Sequence, residues 1–251
     1  MRARSTLYVV MIGLVVFLVG CTTTDGGRTE VLVSAAASLS DAFTEMETVF
    51  EESNHEVDVL LNFAGSSTLR EQILGGAPID VFASANIPNM ELVVNAGLAG
   101  ADPEVFAHNQ LQIAVAPGNP AGITGLSDFG RFELLLGVCA RGVPCGDFAR
   151  EVLAGAGVEP LLDTNEPDVR SLITKIEAGE LDAGIVYVSD VVAAGGAVEG
   201  VGIPDEHNIV ARYPIVVLAD APHPEAASDF VDFALSEGGR SILQHHGFTA
   251  P

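Results

Sequence analysis

The sequence predicts an α/β protein whose mainly parallel sheets are flanked by helices. Three observations predict it. Strand-like and helix-like stretches alternate along residues 30–251. Several strand-like runs are short, continuous and apolar, as expected of strands covered on both faces. Strand ends pass at once into serine-, proline- or glycine-bearing turns that open helices.

The first strand is Val31–Ala35, and small residues lead from it to a helix over Ser40–Glu52. Ser38 and Asp41 have the spacing of a capping box at that helix start. Val57–Phe63 is the second strand, and Gly65-Ser66-Ser67-Thr68 opens a helix that ends near Gly75. Asp80–Ser84 is a third strand and Ile87–Ala96 a helix. Leu111–Ala116 is a strand stopped by the Pro117-Gly118-Asn119-Pro120 turn. Glu133–Val138 is a strand, and Asp147–Gly155 a helix with a glycine stop. Val169–Ala178 is a helix with Pro167 as its first helical residue. Ala183–Val188 is a strand, and Ile209–Leu218 is a strand interrupted at Tyr213-Pro214. Pro224–Ser236 and Arg240–His245 are helices. The breaks at Pro117–Pro120 and Tyr213-Pro214 are the expected crossing points between two lobes. No internal repeat or low-complexity tract is evident.

Residues 1–20 read as a secretory signal rather than as fold. Arg2 and Arg4 precede an apolar run, Leu7–Gly20, that is short for a membrane span, and Cys21 follows directly. This is the pattern of a lipoprotein signal, with cleavage before Cys21 and lipid on its sulfur; residues 21–29 are then a tether. The remaining chain has 231 residues, room for two lobes with cores of their own. Loss of Arg2 and Arg4 leaves nine basic residues against 34 acidic ones, a formal charge of −25. Such a surface argues against nucleic acid or anionic lipid as a partner. Any anion must be held by local dipoles against the global field.

Cys139 and Cys145 form an even, closely spaced pair in an extracytoplasmic chain, which points to a disulfide. A metal site has less support, because no histidine lies near them in sequence. A nucleophilic Cys145 has no local support either. Ser38, Ser66, Cys145 and Val169 each stand at a predicted helix start, where backbone N–H groups lack intrahelical acceptors and the dipole favours an anion. Tyr187 ends a buried strand. Taken singly, each serine reads as a cap and the tyrosine as core; their joint placement points to an oxyanion site.

Ala35-Ala36-Ala37-Ser38-Leu39, Phe63-Ala64-Gly65-Ser66-Ser67-Thr68-Leu69, Gly76-Ala77-Pro78-Ile79-Asp80-Val81-Phe82-Ala83, Val143-Pro144-Cys145-Gly146, Asp168-Val169-Arg170 and Gly184-Ile185-Val186-Tyr187 stand in register over nearly all of residues 30–251. In this combination the chain resembles the molybdate-binding proteins of bacterial ABC transporters. The resemblance implies a two-lobed periplasmic-binding fold, with one lobe from residues 30–112 and 210–251 and the other from 113–209. It implies a cleft that closes on molybdate or tungstate, with ligand contacts from Ser38, Ser66, Cys145, Val169 and Tyr187. Cys145 departs from the alanine common at its position, which a backbone contact tolerates. The resemblance also implies a monomer without cofactor or enzymatic activity, delivering its ligand to a permease and an ATPase. Sulfate or phosphate binding is the nearest rival. A serine hydrolase using Ser66 is a weaker one, since the second glycine of the nucleophile elbow is missing.

Overall fold

The computed structural model describes residues 27–251. The signal at 1–20, the lipid site Cys21 and most of the 21–29 tether lie outside them.

Nine strands form one curled sheet: β1 Thr29–Ala36, β2 Val57–Ala64, β3 Val81–Ala83, β4 Glu104–Val115, β5 Leu136–Cys139, β6 Thr164–Glu166, β7 Ala183–Tyr187, β8 Glu199–Gly202 and β9 Val210–Val217. The helices are α1 Ser40–Ser53, α2 Ser66–Leu74, α3 Ile87–Asn95, α4 Pro144–Gly155, α5 Val169–Glu177, α6 Val188–Ala193, α7 Pro224–Leu235 and α8 Glu237–His245. The strand order is β2-β1-β3-β9-β4-β7-β5-β6, with β8 on β4. Both ends of the sheet are parallel, β2-β1-β3 and β7-β5-β6. The middle, β3-β9-β4-β7, is antiparallel, so the sheet is mixed.

The pleat sorts the side chains of β1. Val31, Val33 and Ala35 enter the main core, while Leu32 packs against a second cluster of Leu69, Ile73, Phe82, Met90 and Val93. That section is therefore covered on both faces, α1 and α7 on one side and α2 and α3 on the other. Edge-on stacking of Phe43 with Phe106 and Phe230, and of Phe50 with Phe230, joins α1, β4 and α7. At the other end, α5 buries Val169, Leu172, Ile173 and Ile176, one helical stripe. It lies so close to β5 and β7 that a Cβ on Gly137 would stand 2.8 Å from Leu172, and one on Gly184 3.0 Å from it. The glycine of the Gly-Ile-Val-Tyr run thus suits this close helix–sheet packing, where a Cβ would press on the Leu172 and Ile176 side chains.

Several elements differ from expectation. β4 begins at Glu104, seven residues before the expected start at Leu111. Along it the partner changes: Glu104–Gln110 pair with β9, and Leu111–Val115 with β7. β9 runs unbroken through Tyr213-Pro214, because the register of β4 shifts between Val105 and Ala107, opposite those residues. An irregularity of this kind accommodates a residue that cannot donate. β5 begins only at Leu136. Strands β6 and β8 and helix α6 had no sequence expectation. Helix α5 begins at Val169 rather than Pro167, and Asp168 caps it by accepting from Ser171 N at 2.8 Å.

Candidate functional site

Ser38, Ser66, Cys145, Val169 and Tyr187 line one cavity, together with small or apolar neighbours such as Ala36, Gly65 and Val143. The space is small. With its walls this close it has no room for a peptide, sugar or nucleotide.

Each residue arrives by a local cause. β1 ends at Ala36 and turns through a 3-10 segment, Ala37–Leu39, before α1. Ser38 sits in that segment and makes no capping box with Asp41; its Oγ lies 2.9 Å from the Tyr213 hydroxyl. Asp41 instead meets Arg170, at 3.2 Å. Ser66 is the first residue of α2, where its Oγ accepts from Ala85 N at 3.0 Å and keeps its own proton to donate. Cys145 is the second residue of α4, behind Pro144, whose missing N–H costs nothing in a first turn. Cys145 is bonded to Cys139. A Cβ on Gly146 would stand 2.3 Å from the Cys139 carbonyl oxygen, so the Val-Pro-Cys-Gly turn needs its glycine. Val169 opens α5, and Tyr187 closes β7.

Among the described residues, the backbone N–H groups of Ser38, Ser66, Cys145 and Val169 have no hydrogen-bond partner. They are first-turn donors, and the dipoles of α2, α4 and α5 stand behind three of them. Tyr187 is 1 % exposed, and its hydroxyl has no partner among the described residues. Burial, with Tyr213 and Asp190 nearby, pushes this phenol well above its usual pKa, so it carries its proton and can donate. Asp168 is the only ionisable lining residue besides Tyr187, and its carboxylate is engaged in capping α5. Arg170 lends its charge to Asp41. The cavity is therefore lined by neutral donors, with no lysine, arginine or histidine among its lining residues.

Two further groups escaped the sequence reading. Tyr213, read only as a strand break, touches Ser38 from a position 175 residues away. Asp190, read as a cap or turn residue, does cap α6, accepting from Tyr187 N at 2.9 Å. Its other oxygen is buried without a partner among the described residues, and desolvation raises the carboxyl from 3.8 to about 7.

The two walls of the cavity approach closely. A Cβ on Gly65 would lie 2.6 Å from the Pro167 carbonyl oxygen and 3.3 Å from Val143. Only glycine permits the β2–α2 turn to rest on the β6–α5 turn.

Residues 31–249 match the family described as bacterial extracellular solute-binding protein. The chain belongs to this family. It is 39% identical over 228 residues to the molybdate-binding protein ModA of Mycobacterium tuberculosis, covering 91% of this chain and 87% of that protein. Its structure matches the periplasmic molybdate-binding protein of Azotobacter vinelandii with a TM-score of 0.76, over 88% of this chain and 99% of that one, at 19% identity. It matches the sulfate-binding protein SubI of Mycobacterium tuberculosis with a TM-score of 0.79, over 89% and 87%, at 18% identity. At those identities the structural likeness speaks for the fold alone, that of the two-lobed periplasmic binding proteins. Family membership sets this chain among solute binders rather than enzymes.

Proposed function

We propose that this protein captures molybdate, and tungstate by the same contacts, and delivers it to the permease and ATPase of an ABC transporter. One observation carries the reading: four unpaired backbone N–H groups and an unpaired buried phenol border a single space sized for a small guest. A tetrahedral dianion presents only acceptors, and charge-assisted bonds to it are roughly twice as strong as neutral ones. With water excluded, fixed neutral donors hold such an anion without a paired cation. Molybdate is unprotonated near neutral pH, whereas hydrogen phosphate brings a proton that needs an acceptor, so donors alone disfavour phosphate. Sulfate is a smaller tetrahedral dianion, so donors spaced for molybdate meet it less closely.

In this reading Ser38 and Ser66 belong to a lobe of residues 30–112 and 210–251. Cys145, Val169 and Tyr187 belong to a lobe of residues 113–209, and ligand contacts with both shift the population toward closure. The chain is a monomer held to the membrane by lipid on Cys21, after removal of residues 1–20. A hydrolytic role for Ser66 has little support, since its oxygen accepts from Ala85 N and the cavity lining offers no histidine as base. Isothermal titration of the purified protein with molybdate, tungstate, sulfate and phosphate tests the proposal. Molybdate and tungstate should bind tightly and the others weakly. Preference for sulfate or phosphate would overturn it.

A further inference from the structure

The buried hydroxyl of Tyr213 lies outside the cavity, and the proposed function gives it no role. It lies 2.9 Å from the Ser38 hydroxyl, and either oxygen can be the donor; the Asn109 side chain and the Tyr187 hydroxyl are its other polar neighbours. The residue is fully buried, so the phenol is shielded from bulk water on its own side of that bond. Its ring is fixed edge-on between Tyr187, at 6.0 Å, and Phe248, at 5.4 Å. Pro214 follows it directly and restricts the backbone of β9. Tyr213 is therefore a rigid post behind one donor of the site.

The Ser38–Tyr213 bond has two orientations with different chemistry. If Tyr213 donates, the serine proton is free for the cavity. If Ser38 donates to Tyr213, the serine turns a lone pair toward the cavity, and the phenol proton needs another acceptor. Beside the phenol, the Asn109 side chain gives its amide N–H to Ser189 at 2.8 Å and its carbonyl oxygen accepts from Gln110 N at 2.9 Å, which leaves that oxygen one lone pair; the Tyr187 hydroxyl, needed as a donor to the cavity, is the other neighbour. The first orientation satisfies every group named here when the guest has only acceptors. The second suits a guest that still carries a proton.

We propose that Tyr213 is a positioning residue that donates to Ser38, aims the serine proton into the cavity, and so sets the discrimination against protonated oxyanions. The proposal rests on the reading of the cavity as an oxyanion site. Its test is a double-mutant cycle with Tyr213→Phe and Ser38→Ala, measuring molybdate affinity directly and phosphate by competition. Phenylalanine keeps the ring packing, and ligand-free melting follows the fold. Tyr213→Phe should weaken molybdate about tenfold, the scale of one hydrogen bond, and lower the molybdate-to-phosphate affinity ratio. In the Ser38→Ala background the same change should alter molybdate affinity less than about twofold, because its effect passes through the serine. Equal loss in both backgrounds, or an unchanged ratio, would overturn the assignment. If the wild type prefers another oxyanion, the functional proposal fails, and the cycle run with that anion still decides the role of Tyr213.

Discussion

The two walls of the cavity present donors in different ways. On one, Ser38 and Ser66 add side-chain hydroxyls to their backbone N–H groups, and both hydroxyls are tied from behind, by Tyr213 and by Ala85 N. On the other, Cys145 and Val169 offer only backbone N–H groups at the starts of α4 and α5. The difference teaches where side-chain identity matters. The first wall is specified by chemistry at two positions. The second, apart from the Tyr187 phenol, is specified by conformation, which is why a half-cystine and a valine, neither with a free polar side chain, can line the cavity.

The sharpest way to break this contrast is to remove both hydroxyls. Ser38→Ala with Ser66→Ala should weaken molybdate binding by roughly 10²–10⁴-fold, at about 1.5–3 kcal/mol for each hydrogen bond to a charged guest. Titration calorimetry measures it, and a loss below tenfold would show that the hydroxyls are caps and no more. The next effect concerns stability. Asp190, beneath the Tyr187 end of the second wall, has its carboxyl raised from 3.8 to about 7, chiefly by burial. A carboxyl raised on folding stabilises fully below about pH 4, and that contribution fades as pH rises through about 7. Asp190→Asn retains an acceptor for Tyr187 N and removes the charge. It should flatten this dependence and leave the variant more stable than wild type at pH 8, by roughly 2–4 kcal/mol. Denaturant melts at pH 5 and pH 8 measure it, and a stability difference that does not move between them counts against it. The smallest effect on affinity belongs to the disulfide. Replacing Cys139 and Cys145 together by alanine should lower stability by about 2 kcal/mol for so short a loop, yet change anion affinity less than about threefold. A collapse of affinity would mean that the α4 start depends on its disulfide side chains after all.

Much of this architecture was legible in sequence, for a local reason. Val31–Val33 reads as a buried strand, Ser66 and Cys145 read as helix starts, and Val169–Ala178 reads as a helix. In each case the signal lies within one turn or one strand. What was not legible depends on distant partners. Strand β8, Glu199–Gly202, has little strand character of its own and is held by pairing with Gln112–Val115. The first half of β4 alternates weakly and takes its register from β9. Tyr213 looked like an interruption because the shift that accommodates Pro214 lies in β4, and because Ser38, its hydrogen-bond partner, is on the opposite side of the sequence. The gathering of the five cavity residues came from motif order, since no single one of them departs from an ordinary cap or core residue.

Gly65 makes an unusual demand on the chain. It contributes no donor to a guest, and the fold around it would survive a methyl group if the turns on either side moved apart. Yet the meeting of two main chains at that point leaves no slack, so a single added carbon would hold the doorway ajar. In the proposed role, tight capture would thus depend on an atom that must be missing, at a position that a catalogue of guest contacts would not reveal.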